Sequence, residues 1–180
     1  KFALANAEAL VYPAAHREAL EELLATGTTQ VGSVRWQLHC GDFTDPGRWS
    51  SAPLPEAILY DPYSPKANPT LWTLEHFRAL KRHLQEGPPC TLSSYSRSSA
   101  VRVTLLLAGF YVGFGPATGE KEQTTLAATD PSLIDQLLDS RWLERVRRST
   151  AGAPLRLNSG RGPISPSDWQ AIITHPQFRA

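Results

Sequence analysis

The sequence predicts an α/β fold: a sheet with helices on its faces, closed by a strand hairpin. Three observations carry that expectation. The run Ala57-Ile58-Leu59-Tyr60 is short, continuous and apolar, and it ends at Asp61, as expected of a strand buried on both faces of a parallel sheet. Further strand-like runs alternate with segments of helical period. Finally, Phe110 to Phe114 and Thr124 to Ala128 flank a turn bounded by Gly115 and Gly119, the pattern of a hairpin. Strands alternating with helices give a layered sheet with short, right-handed connections.

Along the chain, Phe2 to Leu24 carries apolar residues at helical spacing, with Gly27 as a stop. Pro13 belongs at a helix start or kink, so a short helix and then a longer one from about Ala14 are expected. Val34 to Cys40 alternates apolar and polar residues and reads as a strand. Thr44 to Pro55, punctuated by Pro46, Gly47 and Pro53, reads as a loop. Pro62 to Pro69 is a second loop; Thr70-Leu71-Trp72 then opens a helix to about Leu84, stopped by Gly87-Pro88-Pro89. Cys90 to Tyr95 is a strand and Ser98 to Ala108 a helix. After Asp130-Pro131 a helix is expected to about Arg148, then a Gly/Pro/Ser-rich stretch and a short helix from Ser167. Residues 1–130 therefore read as the main domain and 131–180 as a helical, Arg-rich extension.

Composition narrows the class. A chain of 180 residues suits one domain with a hydrophobic core. No apolar run approaches the roughly 18 residues of a membrane span, and no basic-then-apolar leader opens the sequence. Cys40 and Cys90 are too few for a stapled secreted scaffold, so buried free thiols and a cytoplasmic location are expected. The histidines show no ligand spacing, so no metal is expected. Serines crowd between Ser93 and Ser99 without a Gly-x-Ser-x-Gly elbow. The chain has no Met and opens on Lys1-Phe2-Ala3-Leu4, which reads as the middle of an element of a longer polypeptide. Between Arg141 and Arg161 lie Arg145, Arg147, Arg148 and Arg156 against Glu144 alone. Such a run is either a solvated helix face or a track for phosphates.

The segment with most chemistry is Asp61-Pro62-Tyr63-Ser64-Pro65-Lys66-Ala67-Asn68-Pro69-Thr70-Leu71-Trp72. Ligands of open α/β sheets bind beyond the carboxyl ends of the strands, and an acid directly after a buried strand stands there. The prolines restrict the backbone around it. A carboxylate so placed accepts hydrogen bonds from an amine, and an aromatic ring stacks on a planar base. The competing reading is a stiff turn whose Asp61 caps the next helix.

The same segment resembles the loop of the MnmC-type tRNA methyltransferases, Asp-x-Phe-(Ser/Ala)-Pro-x-x-Asn-Pro-x-x-Trp-Thr. Here the matching residues are Asp61, Tyr63 in place of Phe, Ser64-Pro65, Asn68-Pro69 and Trp72-Thr73. The resemblance extends over Leu38 to Ala128 through Gly41-Asp42, Leu92-Ser93-Ser94-Tyr95-Ser96, Ala100-Val101-Arg102 and Leu107-Ala108-Gly109-Phe110. It implies a Rossmann-like, S-adenosylmethionine-dependent methyltransferase sheet with a terminal β-hairpin. That fold's first strands and glycine-rich loop are expected to precede Lys1. It further implies methylation of the aminomethyl group of wobble 5-aminomethyl-(2-thio)uridine in tRNA.

Carried over by position, Asp42 and Phe43 would bind the adenine end of S-adenosylmethionine, while Asp61 would sit by the methyl group and orient the amine. Tyr63, Lys66, Asn68, Trp72 and Arg97 are candidates for contact with the substrate. The family's basic hairpin turn reads Gly119-Glu120-Lys121-Glu122 here, which leaves Lys121 as a further candidate. Two other functions stay open at this point: a non-catalytic RNA- or protein-binding module, and a methyltransferase for a different amine.

Overall fold

The computed structural model describes residues 6, 9, 14–117 and 123–179. The chain divides into two compact units, Lys1–Asp42 and Phe43–Ala180. In the first, helix α1 (Arg17–Thr26) leads into an antiparallel pair, β1 (Thr28–Val31) and β2 (Val34–Gln37). Their register runs from Thr28 opposite Gln37 to Val31 opposite Val34. Gly32 opens the two-residue turn with φ +59°, the conformation that a type II′ hairpin demands and that a side chain would strain. The strand expected over Val34 to Cys40 is thus shorter, and it pairs with Thr28–Val31, a strand that the local sequence does not announce. All four β2 residues are exposed, so their alternation marks no buried face. The short helix expected before Pro13 lies largely outside the described residues.

The second unit holds β3 (Ala57–Leu59), α2 (Leu74–Leu84), β4 (Thr91–Ser94), α3 (Ser99–Leu107), β5 (Tyr111–Gly115), β6 (Thr124–Ala128), α4 (Ser140–Arg147) and α5 (Pro166–Ile173). Its sheet has the order β3-β4-β6-β5, with β3 parallel to β4 and the other pairs antiparallel. Helix α2 starts at Thr73, whose hydroxyl accepts the His76 N–H at 3.2 Å. Its Leu74, Phe77, Leu80 and Leu84 are buried on one stripe, the face an amphipathic helix turns inward. Together with Leu92, Val101, Leu105 and Val112 they form the centre of the core.

Three expectations change. First, β3 is an edge strand: it pairs only with β4 among the described residues, and Leu59 is 88% exposed. A strand is buried on both faces only where both are covered, and no described residue covers Leu59. Second, the helix expected after Asp130-Pro131 begins only at Ser140, where the Asp139 carboxylate accepts the Trp142 N–H at 2.8 Å. The intervening chain runs along β5 instead, with Phe114 N–H on the Gln136 carbonyl and Leu138 N–H on the Val112 carbonyl, both at 2.9 Å. A Cβ on Gly113 would come within 2.3 Å of Gln136 O and of Ile134 Cγ2, so this close approach requires glycine. Third, only Cys90 is a buried thiol; Cys40 is exposed.

The segment after residue 130, which reads locally as an extension, packs into the same core through Leu138, Trp142, Val146 and Ile172. Gln177 ties its end to β5: the side-chain amide accepts from Val112 N–H and donates to the Val112 carbonyl, each at 2.8 Å. No helix among the described residues is long and apolar enough to cross a membrane.

Candidate active site

Strands β3, β4 and β5 point the same way and β6 runs against them. One end of the sheet therefore gathers Asp61 after β3, Tyr95 to Arg97 after β4, the end of β5 and the start of β6. This is the end at which α/β sheets bind ligands.

Asp61 is exposed there. Among the described residues no donor or cation engages its carboxylate within hydrogen-bonding or ion-pair distance. It does not cap the next helix, because Thr73 does so. Just past β4, burial raises the pKa of the Tyr95 phenol, and the Asp61 carboxylate raises it further. An anion facing the phenol opposes its ionisation, so Asp61 and Tyr95 share one local field.

The loop after Asp61 is braced from within. Asn68 Nδ2 donates to the Pro62 carbonyl at 2.8 Å, and Trp72 Nε1 donates to the Tyr63 carbonyl at 3.2 Å. Tyr63 adopts φ +61°, a left-handed conformation that costs a non-glycine residue about 1–2 kcal/mol. Tyr63 is 74% exposed, and Lys66, three residues on, is exposed too. Trp72 is fully buried in a T-shaped contact with Tyr60, with ring centroids 5.3 Å apart. The Tyr60 hydroxyl donates to the Leu71 carbonyl, and burial raises its pKa. In this geometry Asn68 and Trp72 act on the loop backbone, whereas Tyr63 and Lys66 face outward.

Phe43 reaches this loop through aromatic contacts. Its half-exposed ring lies 5.7 Å from the His76 ring, and His76 lies 6.2 Å from Tyr60, the residue before Asp61. Trp49 closes the cluster at 5.5 Å from Phe43, and its indole N–H donates to the Phe43 carbonyl at 3.0 Å. Asp42 ends the first unit and is exposed. Arg97 is exposed beyond β4.

Arg102, which flanks the serine-rich loop in sequence, is buried instead. It donates to Thr125 Oγ1 and to the Thr124 carbonyl, both at 3.0 Å, and lies over the Phe114 ring at 4.9 Å. Lys121 falls outside the described residues. Tyr95 and the Trp49–His76–Tyr60 wall were not singled out by sequence reasoning. Tyr95 closes the run Cys90 to Tyr95 that reads as a strand, and only the observed end of β4 at Ser94 puts it on the loop at the same end of the sheet as Asp61.

A parallel β-α-β crossover closed by an antiparallel hairpin, with its polar residues at the carboxyl ends, is a Rossmann-like methyltransferase fold. The family model described as S-adenosyl-L-methionine-dependent methyltransferase matches residues 11–130, and the chain belongs to that family. Among curated proteins it is similar to the tRNA 5-methylaminomethyl-2-thiouridine biosynthesis bifunctional protein MnmC of Ralstonia nicotianae. That pair is 36% identical over 100 residues, 56% of this chain and 13% of the relative. The protein of the same name from Paracidovorax citrulli is 31% identical over 120 residues, 67% of this chain and 17% of that protein. The chain thus corresponds to a small part of each relative. Among solved structures, MNMC2 from Aquifex aeolicus aligns with a TM-score of 0.60 at 23% identity, over 92% of this chain and half of that one.

Proposed function

We propose that this chain forms part of an S-adenosylmethionine-dependent N-methyltransferase whose acceptor is the aminomethyl group of a wobble 5-aminomethyl-(2-thio)uridine in tRNA. The observation that carries the reading is Asp61: an exposed carboxylate with no protein partner among the described residues, at a strand's carboxyl end, on a loop braced by Asn68 and Trp72. Family membership and the names of the MnmC relatives support the cofactor and acceptor classes.

The residues present suit the cofactor. The half-exposed face of Phe43, backed by Trp49 and His76, offers a flat apolar surface for an adenine ring. Bound S-adenosylmethionine supplies a methyl group that is already activated. The protein's own task is then to hold the acceptor nitrogen in position, the source of most of the acceleration in a two-reactant site. Asp61 accepts a hydrogen bond from the amine, aims its lone pair and takes up the proton that the amine must lose. Tyr63 offers a ring on which the base can stack, and Lys66 stands beside it.

The test is methyl transfer by the full-length protein to tRNA carrying the unmethylated aminomethyl group, compared with Asp61→Asn. Transfer that falls at least 100-fold in the variant, with an unchanged unfolding midpoint, upholds the role. An active Asp61→Asn enzyme removes it, and failure to bind S-adenosylmethionine at all removes the cofactor reading.

A further inference from the structure

The six arginines between Arg141 and Arg161 do not form one stripe. Arg156 is held by Asp168 in a bidentate pair at 2.6 and 3.1 Å. Arg147 lies over the Trp169 ring at 5.5 Å. Arg141 and Arg145 on α4, and Arg148 at its C-terminal cap, line a cavity of about 670 Å³ with Phe114 and Gln123.

Three features mark this cavity as a place for an anion. No carboxylate lies within 4.0 Å of Arg97, Arg102, Arg141, Arg145 or Arg148 among the described residues. Asp139 and Glu144 also line the cavity; the Asp139 carboxylate accepts the Trp142 N–H, and Arg148 Nε donates to the Glu144 main-chain carbonyl at 3.2 Å, not to its carboxylate. Beneath Phe114 lies buried Arg102, whose pKa is pulled down to about 10 by burial first and then by Arg145 and Arg97. With three arginines against two carboxylates on the lining, and none of those arginines in contact with a carboxylate, the net positive charge favours a bound anion.

Position decides what kind of anion. Phe114 and Gln123 stand at the end of β5 and just before β6, at the same end of the sheet as Asp61 but on its opposite edge. From β3 to β5 there are three strand intervals, about 14 Å at the usual spacing. A ligand that reaches Asp61 and this cavity together must be extended and carry its negative charge at a distance from the reacting group.

We propose that the cavity between α4 and the β5–β6 hairpin holds a backbone phosphate of the RNA whose modified base reaches Asp61, with Arg145 and Arg148 as its ligands. This rests on the tRNA reading above and adds the surface that grips the nucleic acid. Arg97, exposed after β4, lies on the path between the two points.

The experiment measures binding of fluorescein-labelled tRNA to the full-length protein by anisotropy across a salt series. The Arg145→Glu/Arg148→Glu double variant is compared with Arg161→Glu. The double variant is expected to bind at least ten times more weakly at about 0.1 M salt. Its salt dependence should flatten by about one unit of slope, at about 0.9 for the one phosphate that the protein ceases to neutralise. Arg161→Glu is expected to bind as the parent does. Because both variants are surface charge reversals, the milder Arg145→Gln/Arg148→Gln pair, checked by thermal midpoint, repeats the reading if the reversal unfolds.

Unchanged affinity and slope in the double variant overturn the proposal, as does an equal loss in Arg161→Glu. Inorganic phosphate that protects the parent alone against unfolding, without any effect of the variants on RNA, assigns the site to a free anion and also overturns it. Failure of methyl transfer with intact, arginine-dependent RNA binding would remove the reaction but not this surface.

Discussion

The indole N–H of Trp72 holds the carbonyl of Tyr63 at 3.2 Å, from a side chain with no exposed surface. A core residue thereby fixes the backbone two residues beyond Asp61. Asn68 does the same for the Pro62 carbonyl at 2.8 Å. The conformation next to the candidate catalytic carboxylate is thus set by the hydrophobic core.

Loosening that brace should cost rate as well as stability. Asn68→Ala removes a hydrogen bond worth about 1 kcal/mol and frees Pro62, so the initial rate of methyl transfer is expected to fall about tenfold or more. Trp72→Phe keeps the buried ring but leaves the Tyr63 carbonyl without its donor. That variant should lose about 1–3 kcal/mol in urea unfolding, with a rate loss of similar size to Asn68→Ala. Unaltered rates in both would show that the loop needs neither brace.

Arg102 is expected to be structural. It joins α3 to β6 through Thr125 Oγ1 and the Thr124 carbonyl and lies over Phe114, while only 6% exposed. Arg102→Met retains the apolar stem but orphans the acceptors, at a cost of about 2–4 kcal/mol by chemical unfolding. Arg102→Lys should recover only part, since a point charge cannot reproduce the planar fork.

His175 gives the stability a pH dependence. Its pKa is lowered from 6.5 by burial first, then by Lys81 and Arg179, and its Nδ1 accepts the Gln177 N–H at 3.2 Å. The unfolded chain takes up this proton at higher pH than the folded one. His175 therefore contributes no penalty above its unfolded pKa, and stability falls as pH drops through 6.5 towards the lower folded value. Urea midpoints between about pH 7.5 and 5.5 should show the decline, and His175→Asn, which can still cap the turn at 176–178, should flatten it.

Much of this was legible in the local sequence. The β5–β6 hairpin pairs Tyr111 with Ala128 and Gly115 with Thr124, within one residue of the expected strands, because its two runs are short, apolar and closed by glycines. Helix α3 lies inside Ser98 to Ala108, where the continuous stretch Val101 to Leu106 is buried. The Asp61 to Thr73 loop declared itself through prolines, which act on their own neighbours and need no tertiary partner.

Other features had no local signature. An apolar triplet such as Ala57–Leu59 reads identically in the centre of a sheet and at its edge, and only the strand order left Leu59 exposed. The delayed start of α4 was hidden because Ile134 to Leu138 is apolar enough for a helix. Its carbonyls and N–H groups went to β5 instead, a partner supplied by the fold. The arginine run likewise looked uniform in sequence.

By itself, then, the sequence determined the α/β class, the hairpin, the rigid acidic loop and the surplus of arginine, all consequences of side-chain period and backbone restriction within a few residues. Tertiary structure decided which groups became neighbours: it aimed Trp72 at Tyr63, sank Arg102 beneath Phe114, paired Arg156 with Asp168, and left Arg145 and Arg148 facing a cavity. Hydrogen bonds and charges act through space over a few ångströms, and only the folded chain sets those distances.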